Sequence, residues 1–568
     1  MTDILSIAGS GIAASQSAIN VTGQNIANVS SVGYSREVLN QTTAASGIGT
    51  QIVDISRVYD EFLASQANTS LTTSSHSNIQ YAQIQSLDAI LTDPNAGISS
   101  ALSSFFNALQ NVSNNPADIP SRQTAIGAAQ GFVGAVSTVQ STIDSINTNI
   151  NTQLQQSVNR INEYATQLKT LNVSIAGTTD SSILNSLKDQ RDSIINLLSK
   201  EMKVTVNSSS GQYIVSLGNG IPLLNNSTIF PLATQSSTSK PNELDVSFNG
   251  QFGATLNTKS MAGGIIGGLI DFRQNILEPA QNKIGLVALG LATAINKAQS
   301  LGSSLISPTP PAIGPSVGHS LFSVVGNGGV AGQIPVHGST LNGANAPTVT
   351  ASLIHTNDIS QVTASDYTVT FDGTNLSLMR NSDQTVVSSH PLTNSQPQLF
   401  ADGIQVSVPP GMRVGDSYLV TPTADAGRNL SLLTSDPLAI AAAASPTSSL
   451  YQGNNPPVTS VGPGDNTNMA NILGVQSAKI LGNNTTSLDD SFNSFISSIG
   501  SQAHELKVKS DFDTSIQQKS YQAMQNVNGV NLDEEAANLI RFQQAYQASG
   551  KVMQIAKQMF DTLMTLSQ

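Results

Sequence analysis

The strongest constraint on this chain lies at its two ends, where apolar residues recur at a heptad spacing. Leu5, Ile12, Ile19 and Ile26 stand seven residues apart, and Ala8, Ser15, Thr22 and Val29 form a second row three residues further on. A period of seven keeps one stripe on one side of a helix and directs it at another helix. The second row is mostly small, which lets a neighbouring helix approach closely. The pattern stops at Ser30-Ser31-Val32-Gly33-Tyr34, where Gly33 reads as a breaker. At the other end Leu532, Leu539, Tyr546, Met553 and Phe560 stand seven apart, with Phe542, Ser549, Ala556 and Leu563 as companions. Asn531 suits the N-cap, and Asp533, Glu534 and Glu535 put negative charge in the first turn, where the helix dipole favours it. Glu534 is spaced to reach back as in a capping box.

Two core helices of an ordinary bundle would share this periodicity, and composition separates the readings. A solvated helix carries a charged back, whereas the N-terminal one has Ser, Asn, Gln, Gly and Ala there, which suits a helix surrounded by copies of itself. Charged residues make up 11% of the 568-residue chain, against roughly a quarter in globular proteins generally. A net charge of −12 argues against nucleic acid or an anionic membrane as partner. Hydrophobic residues at 39% still permit packed cores, and the length implies several domains. With no cysteine, disulfides, thiolate metal sites and Cys nucleophiles are all excluded. The run Ile4 to Ala14 is apolar, but no Lys or Arg precedes Arg36, so no cleavable secretory signal is expected. Nor does any uninterrupted apolar stretch approach the ~20 residues of a membrane span.

Between the ends, Ile143, Ile146, Ile150, Leu154, Val158, Ile161, Leu168, Leu171 and Ile175 recur mostly at three- and four-residue steps. They predict a rod from Ser121 to Ile175, roughly 80 Å long at ~1.5 Å per residue. A second helix is expected over Ser182 to Lys200, completing an αα-hairpin. Strand signals follow at Lys203–Val206, Gln212–Leu217 and Leu244–Phe248. The helical stretch Gly264–Gln299 carries Pro279, where a kink or break is expected. Pro308–Pro315 reads as a linker, and beyond it the period-2 runs YTVTF (Tyr367), LSLMR (Leu376), IQVSV (Ile404) and SYLVT (Ser417) predict an inserted antiparallel sandwich or barrel. A loose stretch, Gln452–Asn468, leads back to helices from Ser487 to the end.

Chemical motifs are thin. His504-Glu505 begins a zincin-like string whose second histidine position holds Val508, and the six histidines have no clustered spacing. Gly326-Asn327-Gly328-Gly329 lacks the strand-to-helix context of a phosphate loop. Gly263-Gly264 with Gly267-Gly268 points to close packing or a hinge, and Asp489-Asp490 to dipole compensation at a helix start. No catalytic residue, cofactor or metal is assigned.

NIANVSSVGYSR (Asn25 to Arg36) resembles the segment that opens flagellar rod, hook and hook-associated proteins, with Asn25, Ile26, Ala27, Asn28, Gly33 and Tyr34 as its motif residues. Gly529 to Met564 is similar, almost residue for residue, to the C-terminus of the first hook-associated family, the hook-filament junction proteins. LKDQRDSIINLLSK (Leu187–Lys200), Gly263–Asn296 and Gly415–Ala443 resemble further segments of that family. The resemblance implies an α+β multidomain fold: a discontinuous coiled-coil terminal domain (1–60 and 515–568), a mainly helical domain (61–315 and 430–514, with a small β element near 203–250) and an inserted antiparallel β domain (316–429). It implies a non-enzymatic subunit of the extracellular flagellum, exported by the flagellar type III apparatus and polymerising through its terminal helices. The expected polymer interface is Leu5, Ile12, Ile19, Ile26, Leu532, Leu539, Phe542, Tyr546, Met553, Phe560 and Leu563. Expected partners are further copies of the chain, the hook protein, the second junction protein and an export chaperone, with no nucleic acid and no membrane insertion. The alternatives are another axial protein of hook or rod type and a secreted β-rich adhesin. An adhesin would not need matched heptads at both termini.

Overall fold

A computed structural model describes residues 2–566 apart from 92–96, 210–211, 219, 241, 249–262, 307–315, 324–331, 393–396 and 446–461. Helix α1 (Thr2–Ala27) ends in a turn where Gly33 takes a left-handed φ of 85°. An antiparallel hairpin follows, β1 (Glu37–Thr43) and β2 (Thr50–Arg57), with Glu37 opposite Arg57. This hairpin is absent from the sequence reading of 1–60. Its strands are largely polar and exposed, without the alternation that marks a half-buried strand. It lies along α1, where the Thr50 amide donates to Ser10 Oγ at 3.1 Å.

The helical body begins with α2 (Glu61–Leu91) and α3 (Ile98–Asn114). The expected rod is α4 (Ile119–Gly177), 59 residues long, capped by the Asp118 carboxylate, which accepts from the Ser121 amide. Its apolar stripe is buried from Ile143 to Ile175, except that Leu171 is half-buried. The companion α5 (Ser181–Glu201) is capped by Asp180. A small β element follows, with β3 (Val204–Ser209), β4 (Gln212–Leu217), β5 (Pro222–Asn225) and β6 (Thr228–Ile229) in one sheet and β7 (Leu232–Ser236) paired with β8 (Leu244–Phe248). Three asparagines seat these strands on α4. Asn151, Asn162 and Asn172 each accept from one strand amide, of Leu244, Leu232 and Tyr213 respectively. Each also donates to a neighbouring carbonyl, of Asn242, Leu232 and Tyr213.

The stretch around Pro279 is α6 (Gly264–Phe272), a π turn (Arg273–Leu277) and α7 (Glu278–Ser300). Proline has no N–H for the carbonyl four residues back, so the ladder loosens in the turn before it. The double glycines serve close packing: a Cβ on Gly264 would lie 2.5 Å from the Met202 backbone, and one on Gly268 2.6 Å from the His76 carbonyl oxygen.

Past β9 (Gly302–Ser304), β10 (Ser316–Val317) and β11 (Phe322–Ser323) comes the β domain. In chain order it holds β12 (Gln333–Ile334), β13 (Val336–Gly338), β14 (Thr350–Leu353), β15 (Tyr367–Phe371), β16 (Asn375–Arg380), β17 (Thr385–Pro391), β18 (Gln398–Ala401), β19 (Ile404–Ser407) and β20 (Ser417–Val420). They form two antiparallel sheets, β12-β14-β19-β18 and β13-β20-β15-β16-β17. Val369, Leu376, Leu378, Leu399, Ile404, Val406 and Val420 are fully buried, in a core continuous with that of the helical body. The chain returns through α8 (Ala426–Asn429), β21 (Ser431–Leu432, paired with β11), β22 (Ala443–Ala444, paired with β9) and α9 (Met469–Gly474). Helix α10 (Leu488–Asn528) packs along α2, and α11 (Leu532–Leu566) along α1. Asp489 and Asp490 fall in the first turn of α10 as expected. The Pro308–Pro315 linker, the Gly326–Gly329 run and most of Gln452–Asn468 lie outside the described residues.

Candidate assembly surface

The two chain ends pair antiparallel, with Gly9 near Met553, Gly11 near Ser549 and Asn25 bonded to Glu535. The side of α1 buried beneath α11 and the β1–β2 hairpin is mostly small: Ala8, Ala14, Ser15, Ala18, Val21 and Thr22. At Gly11 an added Cβ would come within 2.8 Å of Ser549 Oγ, so the helices touch backbone to side chain. The large row takes the flank: Ile12, Ile19 and Ile26 are half-buried and Leu5 is exposed. On α11, Leu539, Phe542 and Met553 are half-buried, while Leu532, Tyr546, Phe560 and Leu563 are exposed. A second apolar stripe, missed in the heptad count, runs through Val552, Ile555 and Met559, each 40–52% exposed. By length and composition alone α1 is apolar enough to cross a membrane. Its small face against α11 gives that apolarity another use.

A polar clasp holds the inner end of this pair. Asn25, only 1% exposed, uses both ends of its amide. Its Oδ1 accepts from the Tyr34 hydroxyl at 2.8 Å and the Glu37 amide at 2.9 Å. Its Nδ2 donates to the Glu37 carbonyl at 2.9 Å and to Glu535 Oε2 at 3.2 Å. Arg36 pairs with Glu535 at 2.7 Å and with Glu534 at 2.9 Å. Asn531 caps α11, accepting from the amides of Asp533 and Glu534. The Glu534 side chain, expected in a capping box, turns to Arg36 instead, because a guanidinium is the stronger partner for a carboxylate. Burial, with Glu37, Asp189 and Glu535 nearby, holds the Tyr34 hydroxyl above its ordinary range, so it stays a donor. Burial also raises the Glu37 carboxyl.

The clasp continues into the body through the Asp-Gln-Arg-Asp segment of α5. The Ser35 amide donates to Asp189 at 3.0 Å, and Arg57 bridges Asp189 at 2.8 Å and Asp192 at 2.6 Å while stacking on Tyr59. Asn528, the last residue of α10, accepts from the amides of Arg36 and Asp60, each at 2.9 Å. Of the motif residues, Asn25 and Tyr34 therefore meet in the clasp and Ile26 flanks the seam. Asn28 donates back to the Gln24 carbonyl at the helix end, Ala27 is exposed, and Gly33 supplies the turn. Sequence reasoning missed Arg36, Glu37, Arg57, Asp189, Asn528 and Glu535 as clasp members. The available signal was charge in a charge-poor chain: its first basic residue and the acidic start of its last helix are partners. Among the described residues no group of three or more His, Asp or Glu side chains is arranged to hold a metal ion.

A family model for the flagellar hook-associated protein FlgK helical domain matches residues 84–309. Another, for a D2-like domain of flagellar hook-associated protein 1, matches 339–422, and one for the C-terminal region of the flagellar basal body rod FlgEFG proteins matches 518–566. Flagellar hook-associated protein 1 of Salmonella typhimurium is 30% identical over 580 aligned residues, with 100% of both chains covered. The chain belongs to the flagellar hook-associated protein 1 family. The Escherichia coli member is 29% identical over the same span, again with 100% of both chains covered. Among solved structures, the flagellar hook junction protein FlgK from Burkholderia pseudomallei matches with a TM-score of 0.72 at 26% identity, covering 82% of this chain and 100% of that one. In family terms, the helical-domain model takes in α3 to α7, the D2-like model most of the β domain, and the rod-type model the end of α10 and all of α11.

Proposed function

We propose that this chain is the structural subunit of the hook-filament junction, exported partly unfolded by the flagellar type III apparatus and polymerised through its paired terminal helices. The observation that carries this reading is the α1–α11 pair itself. Its inner face is spent on small-residue packing, its outer faces carry large apolar side chains in contact with water, and its base is clasped to the body. A monomer gains nothing from that arrangement, whereas neighbours would cover the stripes at ~25 cal/mol per Å² of apolar surface. The interface is the seam row Leu5, Ile12, Ile19, Ile26, Leu532, Leu539, Phe542, Tyr546, Met553, Phe560 and Leu563. The division of labour is a terminal domain (1–60 and 515–568) for assembly, a helical domain (61–315 and 430–514) as body and a β domain (316–429) outside.

Partners are further copies, hook protein below, the second junction protein above, and an export chaperone before secretion. The role is structural rather than catalytic, and the site is the extracellular flagellum without membrane insertion. A hook- or rod-type position is the second reading, supported by the rod-type match at 518–566. Leu539→Asp tests the proposal. Burying an unpaired carboxylate in every subunit costs on the order of several kcal/mol each. In a strain lacking its own copy, the variant is expected in the medium together with unpolymerised flagellin, and wild-type chain on isolated hooks. Normal filaments on the variant would show that this seam is not the assembly surface.

A further inference from the structure

A second charged cluster lies far from the clasp, where the β domain sits on the helical body. Lys240, in the loop between β7 and β8, reaches Glu278 at the start of α7 at 2.6 Å, Asp366 at the head of β15 at 3.5 Å and Glu243 in its own loop at 3.7 Å. The three carboxylates thus come from three elements, one of them in the β domain. Beside them Asp425 pairs with Arg428 at 2.6 Å and faces His337 of β13 at 3.8 Å, and Arg428 reaches Asp144 of α4 at 2.6 Å. Arg273 of the π turn donates to the Leu244 carbonyl and to Asn151, and faces Glu243, Glu278 and Asp245. A cleft of about 530 Å³ runs through this joint. With His337 neutral, the carboxylates Asp144, Glu243, Asp245, Glu278, Asp366 and Asp425 outnumber the cations Lys240, Arg273 and Arg428. Asp366 is 4% exposed, and its Oδ1 is buried without a hydrogen-bond partner.

We propose that this joint is a proton-operated seat: protons held among its carboxyls keep the β domain docked, and their loss loosens it. The excess of negative charge around the buried Asp366 is the cause, since every further ionisation adds repulsion there. Burial pushes the Asp366 carboxyl up to about 6 despite Lys240, with Glu278 and Asp425 adding to the rise. Burial likewise pushes Glu243 up to about 7, opposed by Lys240 and Arg273 and reinforced by Glu278 and Asp245. The Asp425 carboxylate facing it raises His337, so its protonated form also favours the docked arrangement. Undocked, Asp366 leaves Lys240 and Glu278 for water and moves back toward its ordinary value, while Glu243 and His337 lose the cover of the facing domain across the cleft. The docked form therefore binds protons more tightly, and docking weakens as pH rises through about 6 to about 7. Asp425 works the other way. Burial opposes its charge, but His337, Arg428 and Thr421 more than offset this and hold it below its ordinary value, so strong acid breaks its pairs. Seating is tightest near the mildly acidic edge of the window.

The chain has no native cysteine, so a label pair reads this directly. Ser141→Cys on α4 and Ser389→Cys on β17, both exposed positions, carry spin labels in the full-length protein. Between pH 5 and pH 8 the distance distribution is expected to broaden and lengthen, with far-UV circular dichroism unchanged. Asp366→Asn with Glu243→Gln mimics the protonated joint and is expected to stay docked at both pH values. If Asp366→Asn fails to fold, Glu243→Gln alone is expected to reduce the change. A distribution that does not move between pH 5 and pH 8 overturns the proposal, as does an unaltered response in the folded double variant or in Glu243→Gln.

Discussion

At the scale of single residues, the part of the structure least visible in sequence is also the most connected. Asn25 was legible as a motif position and nothing more, because its partners lie 12 residues away at Glu37 and 510 away at Glu535. Periodicity reports which face of a helix is apolar and is silent on which distant carboxylate an amide meets. The chemistry of Asn25 nevertheless decides what a substitution does there. Asn25→Asp keeps an acceptor for Tyr34 and the Glu37 amide, loses both donated bonds, and sets a carboxylate against Glu535. An unsatisfied buried group costs about 1–3 kcal/mol, and like charge adds to it. The variant is therefore expected to lose α1–α11 pairing before the body unfolds. Hydrogen exchange checks this: amides of the first turns of α11 should lose protection while those of α4 keep theirs. Uniform protection in the variant would mean that the seam alone holds the pair.

At the scale of elements, legibility follows how a helix is buried. Helix α4 has one apolar stripe facing one core, so Ile143 to Ile175 announced it. Helix α2 packs on several sides with Ser70, Thr72, Ser74, Ser75 and Ser77 buried, and no apolar period survives that use. The hydroxyls of Ser70, Thr72 and Ser77 bond back to carbonyls three or four residues earlier, which satisfies them without a visible pattern. The asparagines at 151, 162 and 172 on α4 are equally silent: ten- and eleven-residue spacing keeps them on one face, yet asparagine in a helix ordinarily reads as surface. The glycines of α6 were legible as close packing, and Gly268 gives the sharper test. A Cβ there would meet Ile79 and the His76 backbone, which cannot retreat without moving α2. Gly268→Ala is expected to lower stability by roughly 1–3 kcal/mol through overpacking, although alanine is the better helix former. Urea unfolding of the variant checks it, and an unchanged or raised midpoint would show that α2 and α6 can separate freely.

At the scale of the whole molecule, the order of helical, mixed, β and helical segments was legible because each switches hydrophobic period. The attachment of the β domain to the body was not. Sequence presents it as a separable insert between loose stretches, whereas Lys240 bonds across to Asp366 and the Thr340 amide donates to the Thr238 carbonyl. Its removal is still expected to spare assembly. Replacing Leu321–Pro422 by a short Gly-Ser linker leaves α1, α11 and the whole clasp in place, and Lys240 keeps Glu243 and Glu278 as counter-charges. Thr423, against which Gly285 of α7 packs, also remains. What is lost is cover and one anchor: Ala288, Leu289 and Ala292 of α7 face Ile334, Pro335 and Leu353 across the boundary and would meet water, and Phe322 of β11, packed edge-on against Phe105 of α3 and held by Asn296, goes with the insert. The shortened chain should therefore melt below the full-length one, by an amount set by that apolar area at ~25 cal/mol per Å², yet be exported and built into hooks. Thermal unfolding reads the first effect, and filament number on complemented cells the second. A shortened chain that is stable and exported but never incorporated would place part of the assembly energy in the β domain, and the clasped helix pair would no longer suffice to explain how the junction forms.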